Sequence, residues 1–160
     1  MITGELFEAL RILVQKIGNN DIRWVLVGSM SLALQCVNVT PGDIDVLTDK
    51  SGAYKINVLL KDFEVRSVKY SRTEQVQSYL GEFNINNVKI EVMAEYQEKV
   101  NGRWLALDSR LVSPGTIQFE GLQVPVSDLS EQLRGYEISG REKDAGKIAA
   151  IREVLENRRS

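Results

Sequence analysis

The order of apolar patterns along the chain predicts an α+β fold with an α/β-like opening. Three observations carry this expectation. A helix-period stretch near the N-terminus leads into a four-residue β-run at Trp24–Val27, then a short helix and a second strand around Ile44. After one more helical stretch around Ala53 to Leu60, two hairpin signals follow, one at Asn86-Asn87 and one at Gly121-Leu122, and helical patterning then returns after Ser127. With 160 residues, 43% of them hydrophobic and 26% charged, the chain can bury one proper core.

In chain order, Ile2 to Ile17 places Leu6, Leu10, Leu13, Val14 and Ile17 at three- and four-residue steps, an amphipathic helix that closes at Gly18-Asn19-Asn20. It should pack on the sheet that Trp24 begins. Trp24–Val27 is an apolar, β-forming run, and Gly28-Ser29 ends it where a small residue permits a tight turn. Met30 to Cys36 reads as the next helix, with Met30, Ala33, Leu34 and Val37 recurring at helical spacing. The amide groups at its start would point back over the Gly28-Ser29 turn, an arrangement that attracts phosphate. Cys36 is expected on the apolar side of that helix, in the core. As the one cysteine, it allows no intrachain disulfide and suits a reducing interior.

Pro41-Gly42 breaks the chain, and Asp43-Ile44-Asp45-Val46-Leu47 reads as a strand. Its period of two puts Asp43 and Asp45 on one face and Ile44 and Val46 on the other. Two like charges on one face repel, so folding alone would not select them; a cation between them would. A hard divalent metal with oxygen ligands, Mg²⁺ first, is the natural occupant.

Val27-Gly28-Ser29, the thirteen-residue spacer Met30 to Gly42 and Asp43-Ile44-Asp45-Val46 together resemble the signature of the nucleotidyltransferase superfamily of the DNA polymerase β type. The resemblance implies a mixed, mainly antiparallel sheet flanked by helices, and transfer of a nucleoside monophosphate from an NTP such as ATP to an acceptor hydroxyl or phosphate, with release of pyrophosphate. It implies that Asp43 and Asp45 hold Mg²⁺, or Mn²⁺ in its place, and that Gly28 and Ser29 cradle the β and γ phosphates. The acceptor it implies is a small molecule, a protein or an RNA.

After the acidic strand, Asp49-Lys50-Ser51-Gly52 is a turn with Ser51 as N-cap, and Ala53, Ile56, Leu59 and Leu60 mark a helix ending near Lys61. A strand from Phe63 to Val68 follows. Lys69 to Leu80 is polar and reads as a loop or short helix. Phe83-Asn84-Ile85 and Val88 to Met93 flank Asn86-Asn87, a β-hairpin whose turn uses the tolerance of Asn for positive φ. On its second strand Lys89, Glu91 and Met93 share a face. In the resembling family a third carboxylate, usually Asp, stands on a neighbouring strand and completes the metal cage or takes the acceptor proton; Glu91 holds the matching place. A purely structural, solvent-facing Glu91 is the other reading.

Trp104 to Leu107 is a further strand, Ser113-Pro114-Gly115 a turn, and Thr116 to Val126 a second hairpin. Ser127-Asp128 opens a helical region that Gly135 to Gly140 should interrupt, before a helix over Lys147 to Leu155 with Ile148, Ile151 and Leu155 inward. The expected organisation is a catalytic core over residues 1–126 and a helical region over 127–160 packed on it. Val124-Pro-Val-Ser-Asp-Leu129 and Gly140-Arg-Glu-Lys-Asp144 also look like the C-terminal part of small bacterial and archaeal nucleotidyltransferases, including toxin-like and antibiotic-modifying branches, so the resemblance spans about residues 24 to 155. Arg141 and Lys143 would either reach triphosphate oxygens or close a surface network with Asp144.

A formal charge of −2 and a pI near 5.3 give no electrostatic footprint for work on long nucleic acids. The absence of histidine removes Ser-His and Cys-His nucleophiles, His-ligated zinc and imidazole bases. No run reaches membrane-spanning length and Glu5 and Glu8 interrupt the first apolar stretch, so a cytoplasmic protein with no membrane partner is expected. Three alternatives stay open: an inactive nucleotide-binding module of the same fold, a toxin–antitoxin module with a small helical protein partner, and a sugar hydrolase using Asp43 and Glu91. The last is disfavoured because no aromatic cluster lies near the motif.

Overall fold

The computed structural model describes residues 2–18, 20–111 and 114–159. Helix α1 (Gly4–Ile17) is capped by Thr3, whose hydroxyl accepts the Leu6 N–H at 3.2 Å, and buries Leu6, Ala9, Leu10, Leu13 and Ile17 as one stripe. Strand β1 (Trp24–Val27) is buried on both faces and runs straight into α2 (Gly28–Leu34). Strand β2 (Ile44–Thr48) returns antiparallel to β1 and leads to α3 (Lys50–Leu59). Three long strands follow as a meander, β3 (Glu64–Arg72), β4 (Val76–Ile85) and β5 (Val88–Val100), with a short β6 (Arg103–Ala106) folded back on the end of β5. The hairpin β7 (Gly115–Phe119) and β8 (Leu122–Val126) precedes α4 (Leu129–Ser139) and α5 (Ala145–Arg158).

The eight strands among the described residues form one sheet in the order β3-β4-β5-β2-β1-β8-β7, with β6 attached to β5. The pairing is antiparallel except where β2 meets β5 and β1 meets β8, both parallel. The fold is therefore α+β with a mixed, mainly antiparallel sheet flanked by helices, as expected. Period-two alternation sorts the side chains of the central strands. Leu26, Val46, Ile90 and Val92 join the main core under α1 and α3, while Val25, Val27 and Leu47 pack on the other face against Leu111. A separate apolar cluster of Leu32, Val37, Leu129, Tyr136 and Ile151 fastens α4 and α5 to α2. No helix among the described residues is long and apolar enough to cross a membrane.

The structure departs from the sequence reading at several places. Lys69 to Leu80 is neither loop nor helix: β3 runs on to Arg72, Thr73 Oγ1 turns the chain by accepting the Gln75 and Val76 N–H groups, and β4 starts at Val76. The stretch is polar because β3 is the edge strand and is exposed along most of its length. The N-cap of α3 is Asp49, whose Oδ1 accepts the Gly52 N–H at 2.7 Å, not Ser51. Gly135 does not interrupt α4, which continues to Ser139 and stops at Gly140 in the left-handed conformation, φ +63°. Helix α2 ends at Leu34, so Cys36 lies beyond it with φ +67° and is exposed rather than core. The hairpin at Asn86-Asn87 holds, with φ of +51° and +69°, on strands longer than expected. The expected features at Asn19, Ser113 and Ser160 lie outside the described residues.

Candidate active site

Strand register assembles the acidic centre. Val27 pairs with Asp45 across β1 and β2, and Asp45 pairs with Glu91 across β2 and β5. The Gly28 turn and two carboxylates thus lie side by side at one end of three adjacent strands. Gly28 has φ +72°, and a Cβ there would stand 2.6 Å from Asp45 Oδ2, so both the backbone angle and the close approach demand glycine. The Asp45 pKa is pushed up to about 6, first by burial, then by the charges of Glu91 and Asp43, with Lys147 and Lys89 pulling weakly the other way. Lys89 Nζ lies 3.3 Å from Glu91 Oε1, and that carboxylate raises the lysine above its ordinary value.

These residues form one wall of a cleft of about 410 Å³. The opposite wall comes from α4 and the start of α5. Gln132 bridges the walls: its Oε1 accepts the Gly28 N–H at 3.0 Å, while its Nε2 donates to Ser31 Oγ at 3.0 Å and to the Ser127 carbonyl at 3.1 Å. Farther along, the Tyr96 hydroxyl donates to Glu98 Oε1 at 2.8 Å, and the Ser139 hydroxyl donates to Glu98 Oε2. Burial and that bond to Glu98 push the Tyr96 pKa upward. Arg110 reaches in from the turn after β6, stacking over the Tyr96 ring at 5.5 Å, and burial lowers its pKa. Asp144 is fully buried and orients two cations: Arg141 Nε at 2.8 Å and Lys147 Nζ at 3.8 Å. Arg141 loses hydration in the cleft, yet its hydrogen bond to Asp144 and that residue's charge hold its pKa above the ordinary value.

Of the residues singled out from sequence, Gly28, Asp45, Glu91, Arg141 and Lys143 line this cleft. Asp43 is exposed one residue before β2; it acts on Asp45 through its charge and does not line the cleft. Ser29, half-buried in the first turn of α2, does not line it either. Among the described residues no three His, Cys, Asp or Glu side chains stand close enough together to hold an ion as placed. The donor chemistry nevertheless fits a hard divalent cation: carboxylate oxygens only, one of them penalised for ionising, against a glycine whose missing Cβ leaves room.

Sequence reading missed Gln132, Glu98, Tyr96, Arg110, Ser139 and Lys147. Two signals were available. Leu129, Gln132 and Tyr136 form the buried stripe of α4, which places a glutamine on an apolar face where it needs partners. Arg141, Asp144 and Lys147 recur at three-residue steps, the spacing of ion pairs along one helical face. Glu98, Tyr96 and Arg110 carry no comparable pattern, because long-range strand pairing brings them to the cleft.

The chain matches the family model described as Aminoglycoside-2''-adenylyltransferase over residues 9–151. Among solved structures, one from Thermotoga maritima, provisionally assigned as a nucleotidyltransferase, is 31% identical, with 98% of this chain and 96% of that one covered and a TM-score of 0.80. The lincosamide antibiotic adenylyltransferase LnuA, solved with lincomycin bound, is 14% identical over 94% of this chain and 97% of that one, with a TM-score of 0.56. ANT(2'')-Ia in complex with adenylyl-2''-tobramycin is 10% identical over 94% and 97% of the two chains, with a TM-score of 0.52. The last two are likenesses of fold alone. The comparison with curated proteins yields no match.

Proposed function

Because this chain belongs to the aminoglycoside-2''-adenylyltransferase family, whose members are nucleotidyltransferases, we propose that it moves AMP from ATP to a hydroxyl of a small-molecule acceptor. The observation that carries this reading is the Asp45–Glu91 pair held by strand register against the bare backbone of Gly28. Folding gains nothing from two carboxylates placed directly opposite each other. In this reading Asp45, Glu91 and Asp43 hold Mg²⁺, with Mn²⁺ able to replace it. The ion supplies charge neutralisation on the triphosphate and eases loss of the acceptor proton.

The protein's own groups do the positioning. Ser29 and the turn it shares with Gly28 bind the β and γ phosphates, while Arg141, Lys143 and Lys147 face the triphosphate from the C-terminal wall. The acceptor oxygen forms a bond to the α-phosphorus, the bond to the bridging oxygen breaks, and pyrophosphate departs. With its Oε1 held by Lys89, Glu91 has Oε2 left for the ion, and the acceptor proton passes to solvent water. The 1–126 core carries the acidic centre and the 127–160 helices close the cleft over the nucleotide.

One observation favours a second reading, a nucleotide-binding module without turnover: the Lys89 ammonium sits on Glu91, where a cation could do its work without a metal. Pyrophosphate release across the four NTPs, with Mg²⁺ or Mn²⁺ and with aminoglycoside and lincosamide acceptors, separates the two. ATP-specific release that EDTA stops supports the transferase. ATP-dependent thermal stabilisation with no release under any of these conditions supports the module.

A further inference from the structure

We infer that Gln132 is a positioning residue for nucleotide, holding the Gly28-Ser29 turn in register with Asp45. This rests on the transferase reading above. Gln132 is only 2% exposed, and each hydrogen-bonding atom of its side-chain amide is engaged, across more than a hundred residues of chain in the case of Gly28 and Ser31. Its Nε2 partners are themselves fixed, since Gln35 Nε2 donates to the same two oxygens, Ser31 Oγ at 3.2 Å and the Ser127 carbonyl at 2.9 Å. Together the two glutamines tie α2 to the end of β8 and the start of α4. The acceptor end of this clamp falls on the N–H of Gly28, the residue that lies against the Asp45 carboxylate.

Two consequences follow from the geometry. The Gly28 N–H is already satisfied by Gln132 Oε1, so that donor is not free for a phosphate oxygen. Gly28 is also pressed between Gln132 and the Asp45 carboxylate, with no room for a Cβ on the Asp45 side. A turn freed from Gln132 would shift relative to Asp45, and ATP would meet a mispositioned pair of binding elements.

The test uses the full chain in two measurements. Amide exchange at Gly28, read by NMR on the nucleotide-free protein, should be protected in wild type and faster in Gln132→Met, which keeps the length of the side chain and removes the acceptor for that N–H. ATP affinity by calorimetry, referred to folded protein, should weaken about tenfold or more in Gln132→Met, since the binding groups stay but their register does not. A purely structural glutamine would lower thermal stability and leave the affinity of folded molecules unchanged; that result overturns the proposal, as does unaltered Gly28 exchange. If wild type binds ATP but Gln132→Met binds it equally well, this inference falls and the transferase reading stands. If wild type neither binds ATP nor releases pyrophosphate, both fall.

Discussion

Asp45 is held near pKa 6 in the folded chain, mainly because burial strips water from its carboxylate and next because Glu91 and Asp43 stand nearby. The unfolded chain ionises near the ordinary value of 3.8. Between those two values the folded state keeps a proton that the unfolded state has lost, so stability falls as pH rises through the window. Above it the penalty is complete, on the order of 3 kcal/mol without bound cation. Urea unfolding at pH 4, 5, 6 and 7 should therefore show Asp45→Asn gaining stability over wild type as pH rises, with the difference levelling above about pH 6, while its nucleotide transfer is lost. At the neighbouring position, Gly28→Ala meets both a left-handed backbone and the Asp45 oxygen. It should cost about 1–3 kcal/mol in chemical denaturation and also abolish transfer, because relief requires moving Asp45.

At the scale of elements, the helices over the cleft depend on a small apolar cluster separate from the main core. Ile151 is the buried anchor of α5, and Ile151→Ala should cost about 2–5 kcal/mol. Hydrogen exchange should then report faster opening of α4 and α5 with the sheet unaffected. Asp128 caps α4 by accepting the Ser130 N–H at 2.9 Å, and Asp128→Ala should cost about 1 kcal/mol by thermal unfolding. Local chemistry explains which elements could be read from sequence. Helix α1, strand β1 and the Asn86-Asn87 turn each have their pattern and terminators within a few residues. The β3–β4 hairpin could not be read as easily: an edge strand needs no apolar alternation on its open face, and its only local mark is the Thr73 turn. The acidic strand and the Gly-Ser turn were legible because the spacing of a strand–turn–helix–strand unit fixes them. Gln132 and Glu98 were not, since their roles arise only when α4 and the far half of β5 meet across the cleft.

Across the whole molecule, one sheet divides two tasks. Its α1 and α3 face buries the main core, while its other face gathers Asp45, Glu91 and, farther along, Glu98 beneath α4. Cations from the chain's last third, Arg141, Lys143 and Lys147, answer that acidity from across the cleft, so that a small net charge conceals strong local separation. If the proposed transferase reading holds, closing the cleft around a triphosphate would call for a divalent ion on the sheet side and these side chains on the helical side. The most direct check is Mn²⁺ binding followed by EPR in the presence of a non-hydrolysable ATP analogue, comparing wild type with Asp45→Asn and Glu91→Gln. Enzyme-bound Mn²⁺ in wild type that is lost or weakened at least about tenfold in both variants is the expected result; equal Mn²⁺ binding by all three proteins would contradict the assignment of these carboxylates to the metal.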